Sequence, residues 1–232
     1  MNIIKRLIKK NTKARPCLSM IPKYITIHNT ANTKRGAGAY NHALYMSGAG
    51  SQVSCSYHFV VDDKSIYQLI PCNEVSWHSG DGYNGKGNRK SISIEICENM
   101  DGDLRKATDN AVELVRYLMD KYNIDITHVV QHHHWSGKNC PNRLRKGQPY
   151  SWDTFINKCE MNELDSFKVK VLCDELNIRK TPTWDNKDIV GTIKDKGVYT
   201  IVDTVMLGNT KFGKLKSGAG YISLNEKYVK LI

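Results

Sequence analysis

SISIEICE, residues 91–98, alternates at every second position. Ile92, Ile94 and Ile96 fall on one side of an extended strand, and Ser91, Ser93, Glu95 and Cys97 on the other. That pattern predicts a strand with one face in a core and Glu95 in the middle of the opposite face. A lone carboxylate in a strand ordinarily faces solvent. Flanked by Ile94 and Ile96 in a central strand, it calls for a raised pKa or a link to a metal. Downstream, Ala111, Val112, Val115, Leu118, Met119 and Tyr122 form one apolar stripe of a helix running to Tyr122, with Thr108 as its cap. This stripe reads as core.

Upstream, Tyr24 to Ile27 of YITIHNT (24–30) is a β-branched and aromatic run, read as a buried strand ending at His28. Gly36 to Ser47 reads as a short helix. Ser54–Val61 and Lys64–Ile70 read as two antiparallel strands joined at Asp62-Asp63, with Tyr57 and His58 where the first begins. WHSGDG (77–82) opens a loop with glycines at 80, 82, 85 and 87. No Gly-Lys-Ser/Thr follows, so this is not a phosphate-binding loop, and a groove wall carrying Trp77 and His78 is the better reading. In residues 1–15, Ile3, Ile4, Leu7 and Ile8 have helical spacing among six Lys/Arg, which predicts a short amphipathic helix packed on the domain or a membrane-surface arm.

The stretch HVVQHHHWSGKNCP (128–141) carries the metal chemistry. His132 and Cys140 pair imidazole nitrogen with thiolate sulfur, the donor set that suits zinc. Zinc needs at least a third protein ligand, and His28 at its strand end is the best candidate. Three ligands leave one tetrahedral position open, as in catalytic rather than structural sites. Glu95 can then take a proton from water and Lys138 can stabilise an oxyanion, which suffices for amide hydrolysis. On residue types alone, a structural zinc or no metal remains open.

A net charge of +11 suits polyanionic partners (nucleic acid, anionic membrane or a cell wall) as well as a merely solvated basic surface. No apolar run reaches the roughly 18–20 residues a membrane span needs, and the basic N-terminus lacks the pattern of a secretory signal. Synthesis in the cytoplasm without a signal peptide is therefore expected. Seven cysteines in no tight framework fit a reduced compartment. Cys55, Cys72, Cys97 and Cys173 read as small buried hydrophobes, while Cys17 and Cys159 are undetermined.

A helix is expected from Ser151 to Cys159, and a boundary in the polar run EMNELDS (160–166). The expected division is a catalytic domain over residues 1–160, a linker over 161–166 and a second domain over 167–232. Short strands then recur at Phe167–Leu172, Ile189–Ile193, Gly197–Val205, Phe212–Leu215, Gly220–Leu224 and Tyr228–Ile232, the texture of a small all-β barrel.

YITIHNT (24–30), YHFVVDD (57–63), WHSGDG (77–82), GNRKSISIEIC (87–97) and HHHWSGKNCP (132–141), in this order, resemble the type-2 N-acetylmuramoyl-L-alanine amidases, above all endolysins of phages infecting Gram-positive bacteria. The resemblance implies an α/β domain, with a central mixed β-sheet flanked by helices, that uses Zn2+ to cut the amide between N-acetylmuramic acid and L-alanine in peptidoglycan. It implies His28, His132 and Cys140 as ligands, Glu95 and Lys138 as catalytic residues, and Tyr57, Trp77 and His78 at the substrate. His132 is preferred to His133 and His134 by its family-like distance from the cysteine. Strand alternation separately points His133 away and leaves His134 as a rival. Glu95 and Tyr57 are both present, although branches of the family rely on one or the other. LNIRKTPTW (176–184), IVGTIKDKGVYTIV (189–202) and GYISLNEKYVKLI (220–232) resemble a bacterial SH3-like cell-wall-binding module. Together these imply a host-lysing endolysin whose partners are peptidoglycan and cell-wall polymers, released with the help of a holin, with no nucleic acid and no stable membrane insertion. The rival reading is a protein that recognises peptidoglycan or a polyanion without cutting it. Such recognition proteins typically lack the cysteine.

Overall fold

The computed structural model describes residues 1–160 and 166–232. The chain divides into two compact units, Met1–Glu160 and the remainder. Apart from Ser166, the expected linker 161–166 lies outside the described residues. Among the described residues, no helix is long and apolar enough to cross a membrane.

The first unit is built on a six-stranded mixed sheet. Its strands are β1 (Ile3–Lys5), β2 (Tyr24–Asn29), β3 (Phe59–Val61), β4 (Ile66–Gln68), β5 (Ser91–Ile96) and β6 (Val129–Gln131), in the spatial order β1-β4-β3-β5-β2-β6. All neighbours are parallel except β3 and β4. The helices are α1 (Ala39–Ser47), α2 (Lys86–Lys90), α3 (Leu104–Tyr122), α4 (His133–Ser136), α5 (Asn142–Arg145) and α6 (Trp152–Glu160).

The period-two pattern sorts the side chains between two cores. Ile25, Ile27, Phe59, Val61, Ile92, Ile94 and Ile96 pack with Ala111, Val115 and Leu118 of α3 and with Phe155 of α6. A fully buried Leu, Ile or Phe here is worth about 1.5–3 kcal/mol relative to exposure. On the other face, Val60, Tyr57, Cys97 and Ile8 pack under Ala39, Ala43 and Met46 of α1. That face also holds a polar row. Thr26 Oγ1 and Ser91 Oγ are 2.6 Å apart, and Trp135 Nε1 donates to Thr26 Oγ1 at 2.9 Å. In the next row the register sets His28 beside Glu95, and Glu95 beside Val60.

Several expectations need correction. Residues 1–15 form no helix: Ile3–Lys5 is a strand parallel to β4, and Arg6 and Ile8 extend the pairing by donating to the carbonyls of Gln68 and Leu69. The open edge of β4 supplies partners that an isolated helix of this length lacks. The cap of α3 is Asp103, which accepts from the Lys106 N–H at 3.0 Å, whereas Thr108 lies one turn inside and its hydroxyl donates to Leu104 O. The strands expected over 54–61 and 64–70 shorten to Phe59–Val61 and Ile66–Gln68; ahead of the first, the Ser56 N–H donates to Trp77 O instead of to the neighbouring strand. Strand β6 stops at Gln131 and His133 begins a helical turn, so strand alternation does not govern the histidines; both His133 and His134 are exposed. All seven cysteines are free. Cys72, Cys97 and Cys159 are buried, but Cys55 is exposed and Cys173 half-buried, contrary to the expectation for those two.

The second unit is an all-antiparallel sheet of seven strands: β7 (Phe167–Val171), β8 (Leu176–Arg179), β9 (Ile189–Ile193), β10 (Val198–Leu207), β11 (Thr210–Leu215), β12 (Tyr221–Ser223) and β13 (Val229–Leu231). The order is β13-β7-β10-β11-β12-β8-β9. A small all-β barrel was expected; the all-antiparallel sheet is present, and among the described residues β13 and β9 do not pair to close it. Strand β8 was absent from the expected set. Val169, Val171, Leu176, Ile193, Ile201, Leu215, Ile222 and Val229 form its core.

Candidate metal centre

Parallel neighbours end on the same side of a sheet, and this brings the candidate residues together. His28 closes β2. His132 directly follows β6, with its N–H still donating to Ile27 O at 3.2 Å. Cys140 returns beside them after α4, which is ended by Gly137 at φ 72°, and the Cys140 carbonyl accepts from the His133 N–H at 3.0 Å.

His28, His132 and Cys140 each offer one donor atom, and these atoms all lie within 4.8 Å of one another. It is the one such cluster among the described residues. Cys140 Sγ is 3.8 Å from His28 Nδ1, close to the roughly 3.5 Å that zinc bond lengths imply for N and S on a tetrahedral ion. All three residues are buried. The outer ring nitrogens are both engaged: His28 Nε2 with His78 Nδ1 at 3.1 Å, and His132 Nε2 with Ser79 O at 3.0 Å. A carbonyl can only accept, so Nε2 of His132 carries the proton and Nδ1 carries a lone pair. That Nδ1 is buried without a partner. An orphaned lone pair beside a second imidazole and a thiol fits a zinc ion with two nitrogens and one sulfur.

Electrostatics agree. Burial, then the neighbouring His78 and His132, holds His28 well below the usual histidine range. Burial, then Lys138, lowers His132. Both rings are therefore neutral near pH 7, as ligands must be. Burial pushes the Cys140 thiol up to about 12, with Glu95 adding to it; the sulfur stays protonated unless a cation ionises it.

Glu95 Oε1 lies 3.9 Å from His28 Nδ1, and its other oxygen is buried without a partner. Burial raises its carboxyl to about 8, against the opposing pull of Lys138. Lys138 is exposed and lines a cavity of about 680 Å³ together with Trp77, His78 and His132. Trp77 stacks on the exposed Tyr83, with ring centroids 5.6 Å apart. Tyr57 is placed differently: it is buried under α1, its hydroxyl pushed far up by burial and then by Glu95. It lines an adjoining cleft of about 570 Å³ with Lys34, Arg35 and His42, and Cys55 belongs to both cavities. His78 reaches His28 as well as the cavity.

Sequence reasoning missed Ser79, Tyr83 and Asn88. The glycine spacing of residues 80–87 drew attention to what that loop is not. The Asp and Asn within it, which bind backbone in turns, were the available signal.

The family model for N-acetylmuramoyl-L-alanine amidase matches residues 18–143. N-acetylmuramoyl-L-alanine amidase CwlH of Bacillus subtilis (strain 168) is 50% identical over 157 residues, covering 68% of this chain and 60% of that protein. The solved catalytic domain of XlyA is 50% identical with a TM-score of 0.64, covering 68% of this chain and 99% of that one. A structure described as a mutant endolysin from Bacillus subtilis is 51% identical with a TM-score of 0.64, again over 68% of this chain and 99% of that one. The chain thus spans 60% of the length of CwlH and 50% of full-length XlyA.

Proposed function

The chain belongs to the N-acetylmuramoyl-L-alanine amidase family, and from that premise we propose that it hydrolyses the amide between N-acetylmuramic acid and L-alanine in peptidoglycan, with zinc held by His28, His132 and Cys140. The observation that carries this reading is the unpartnered His132 Nδ1 in a buried cluster of donors, next to an equally unpartnered Glu95 oxygen. Zinc, when bound, supplies Lewis acidity to the scissile carbonyl and a more acidic water.

The chain's own residues do the rest. Glu95, whose carboxyl exchanges its proton near neutral pH, takes the proton of the attacking water at its free oxygen and returns it to the leaving amine. Lys138 reaches into the cavity and offsets the negative charge that develops on the carbonyl oxygen. Trp77 and Tyr83 give the sugar-bearing substrate a flat wall, and His78 steadies His28. Tyr57 serves the adjoining cleft as a substrate contact.

The antiparallel second unit is proposed as a wall-binding module of SH3-like kind, raising the local concentration of the amidase on its polymer. Likeness to the Bacillus subtilis endolysin supports a lytic role, with holin-dependent access to the wall.

The test is chemical. Gram-positive cell walls are incubated with the protein, with and without a zinc chelator, and both new amino groups and new reducing sugars are measured. N-terminal alanine without reducing ends, abolished by chelator and restored by zinc, is expected. Reducing ends would make it a glycosidase, and binding without either product would make it a recognition protein.

A further inference from the structure

Asn88 sits in α2, buried at 5% exposure, and is bound to the loop that backs both histidines. Its Oδ1 accepts from two consecutive backbone N–H groups, those of His78 at 2.8 Å and Ser79 at 3.0 Å. Its Nδ2 donates to Gly82 O at 3.0 Å. His78 and Ser79 are also the outer partners of the two candidate ligands, His78 through its ring to His28 and Ser79 through its carbonyl to His132. We infer that Asn88 is a positioning residue that orients both His28 and His132, presenting each Nδ1 toward Cys140 through a single side-chain amide.

The geometry is specific. Two successive N–H groups can meet one acceptor only where the chain curls around it. That curl directs the Ser79 carbonyl outward to His132, and Gly80 at φ 71° lets the chain leave. Asp81 braces the same loop, accepting from Gly87 N at 2.6 Å and from the Ser79 hydroxyl. A Cβ on Gly87 would lie 2.5 Å from that of Ser79, so α2 is packed directly on the residue whose carbonyl is being aimed. Partners that hold a histidine by its outer nitrogen tune metal affinity by about 10–100-fold. Here one amide governs two of them.

The inference rests on the zinc reading only where zinc is the probe, so the test has two arms on the full chain. In metal-stripped protein at neutral pH, nitrogen-correlated NMR detects ring Nε2–H protons of His28 and His132 shielded from water exchange. Asn88→Ala is expected to lose both signals and to weaken Zn2+ binding, in competition with a chelator, by about 10–100-fold. Asn88→Asp keeps the acceptor oxygen and is expected to retain both signals. Val112→Ala, in the α3 core, serves as a comparator that loses stability without touching the loop. Should Asn88→Ala not fold, Asn88→Ser carries the same expectation. Both ring signals persisting in the truncation variants, with zinc affinity within about threefold of the parent, would overturn the inference, as would losses no greater than those in Val112→Ala. If the parent takes up no zinc the metal reading fails by itself, and the ring signals alone decide the role of Asn88.

Discussion

His58 makes the first unit sensitive to acid in a way that can be isolated. It is fully buried. Its Nδ1 accepts from the Ser93 N–H at 3.0 Å and lies 3.0 Å from the hydroxyls of both Ser93 and Ser76, while Nε2–H donates to Glu74 O at 2.9 Å. A proton added to Nδ1 would face the Ser93 N–H, so burial in this setting lowers the pKa to about 4 from 6.5. The folded state therefore binds fewer protons than the unfolded chain between those values. The stability this group contributes is complete above pH 6.5 and is lost as pH falls through about 4. The gap corresponds to about 3 kcal/mol. His58→Asn removes the titration and one hydrogen bond, and is expected to cost about 1–3 kcal/mol at pH 7. Urea unfolding of metal-stripped protein at pH 7, 6, 5 and 4 measures both chains. Trp77, Trp135 and Trp152 report on the first unit by fluorescence. The advantage of the parent over His58→Asn should shrink by about 3 kcal/mol across this range, closing or inverting near pH 4. A difference that does not change with pH would refute the assignment of His58 as a buried neutral acceptor.

Cys140→Ser is expected to reduce bound zinc from one per chain to near none, measured by elemental analysis, with wall hydrolysis falling at least about 100-fold. Glu95→Gln should keep its zinc and lose about 10²–10⁴ in kcat, and Lys138→Met about 10²–10³ with little change in KM, by release of N-terminal alanine. Arg15→Ala breaks the paired bonds to both Glu74 oxygens and the bond to Ile8 O, all at low exposure. It should lower unfolding free energy by about 3 kcal/mol, read from the urea midpoint.

Much of the first unit was legible because period two is hard to mistake. Ile92, Ile94 and Ile96 all enter one core, and the same alternation sends Glu95 to the face that carries His28. Donor chemistry nominated His28, His132 and Cys140, but the preference for His132 over His134 came from the family resemblance, and the structure brings the three donor atoms within 4.8 Å of one another. What was not legible depends on neighbours distant in sequence. Ile3, Ile4, Leu7 and Ile8 fit a helix by spacing alone, and only the free edge of β4 decides for a strand. Leu176–Arg179 shows two apolar positions before running into KTPTW, too little pattern for a strand until β9 pairs with it. Asp103 displaced Thr108 as cap because the helix begins one turn earlier, at Leu104. The roles of Ser79 and Asn88 run through backbone groups, a carbonyl and two N–H groups, for which the Asp and Asn of the loop were the available sequence signal.

The place of β2 between β5 and β6 also bears on how the protein is made. Tyr24–Asn29 is synthesised before both of its neighbours, β5 at Ser91–Ile96 and β6 at Val129–Gln131. At about 5–20 residues per second, roughly 5–20 s of synthesis separate this strand from its last partner. Until β5 is made this apolar segment has unpaired backbone on both sides, and until β6 follows it has one side open. The order of the strands along the chain thus fixes how long this edge stays open, independent of the stability of the finished fold.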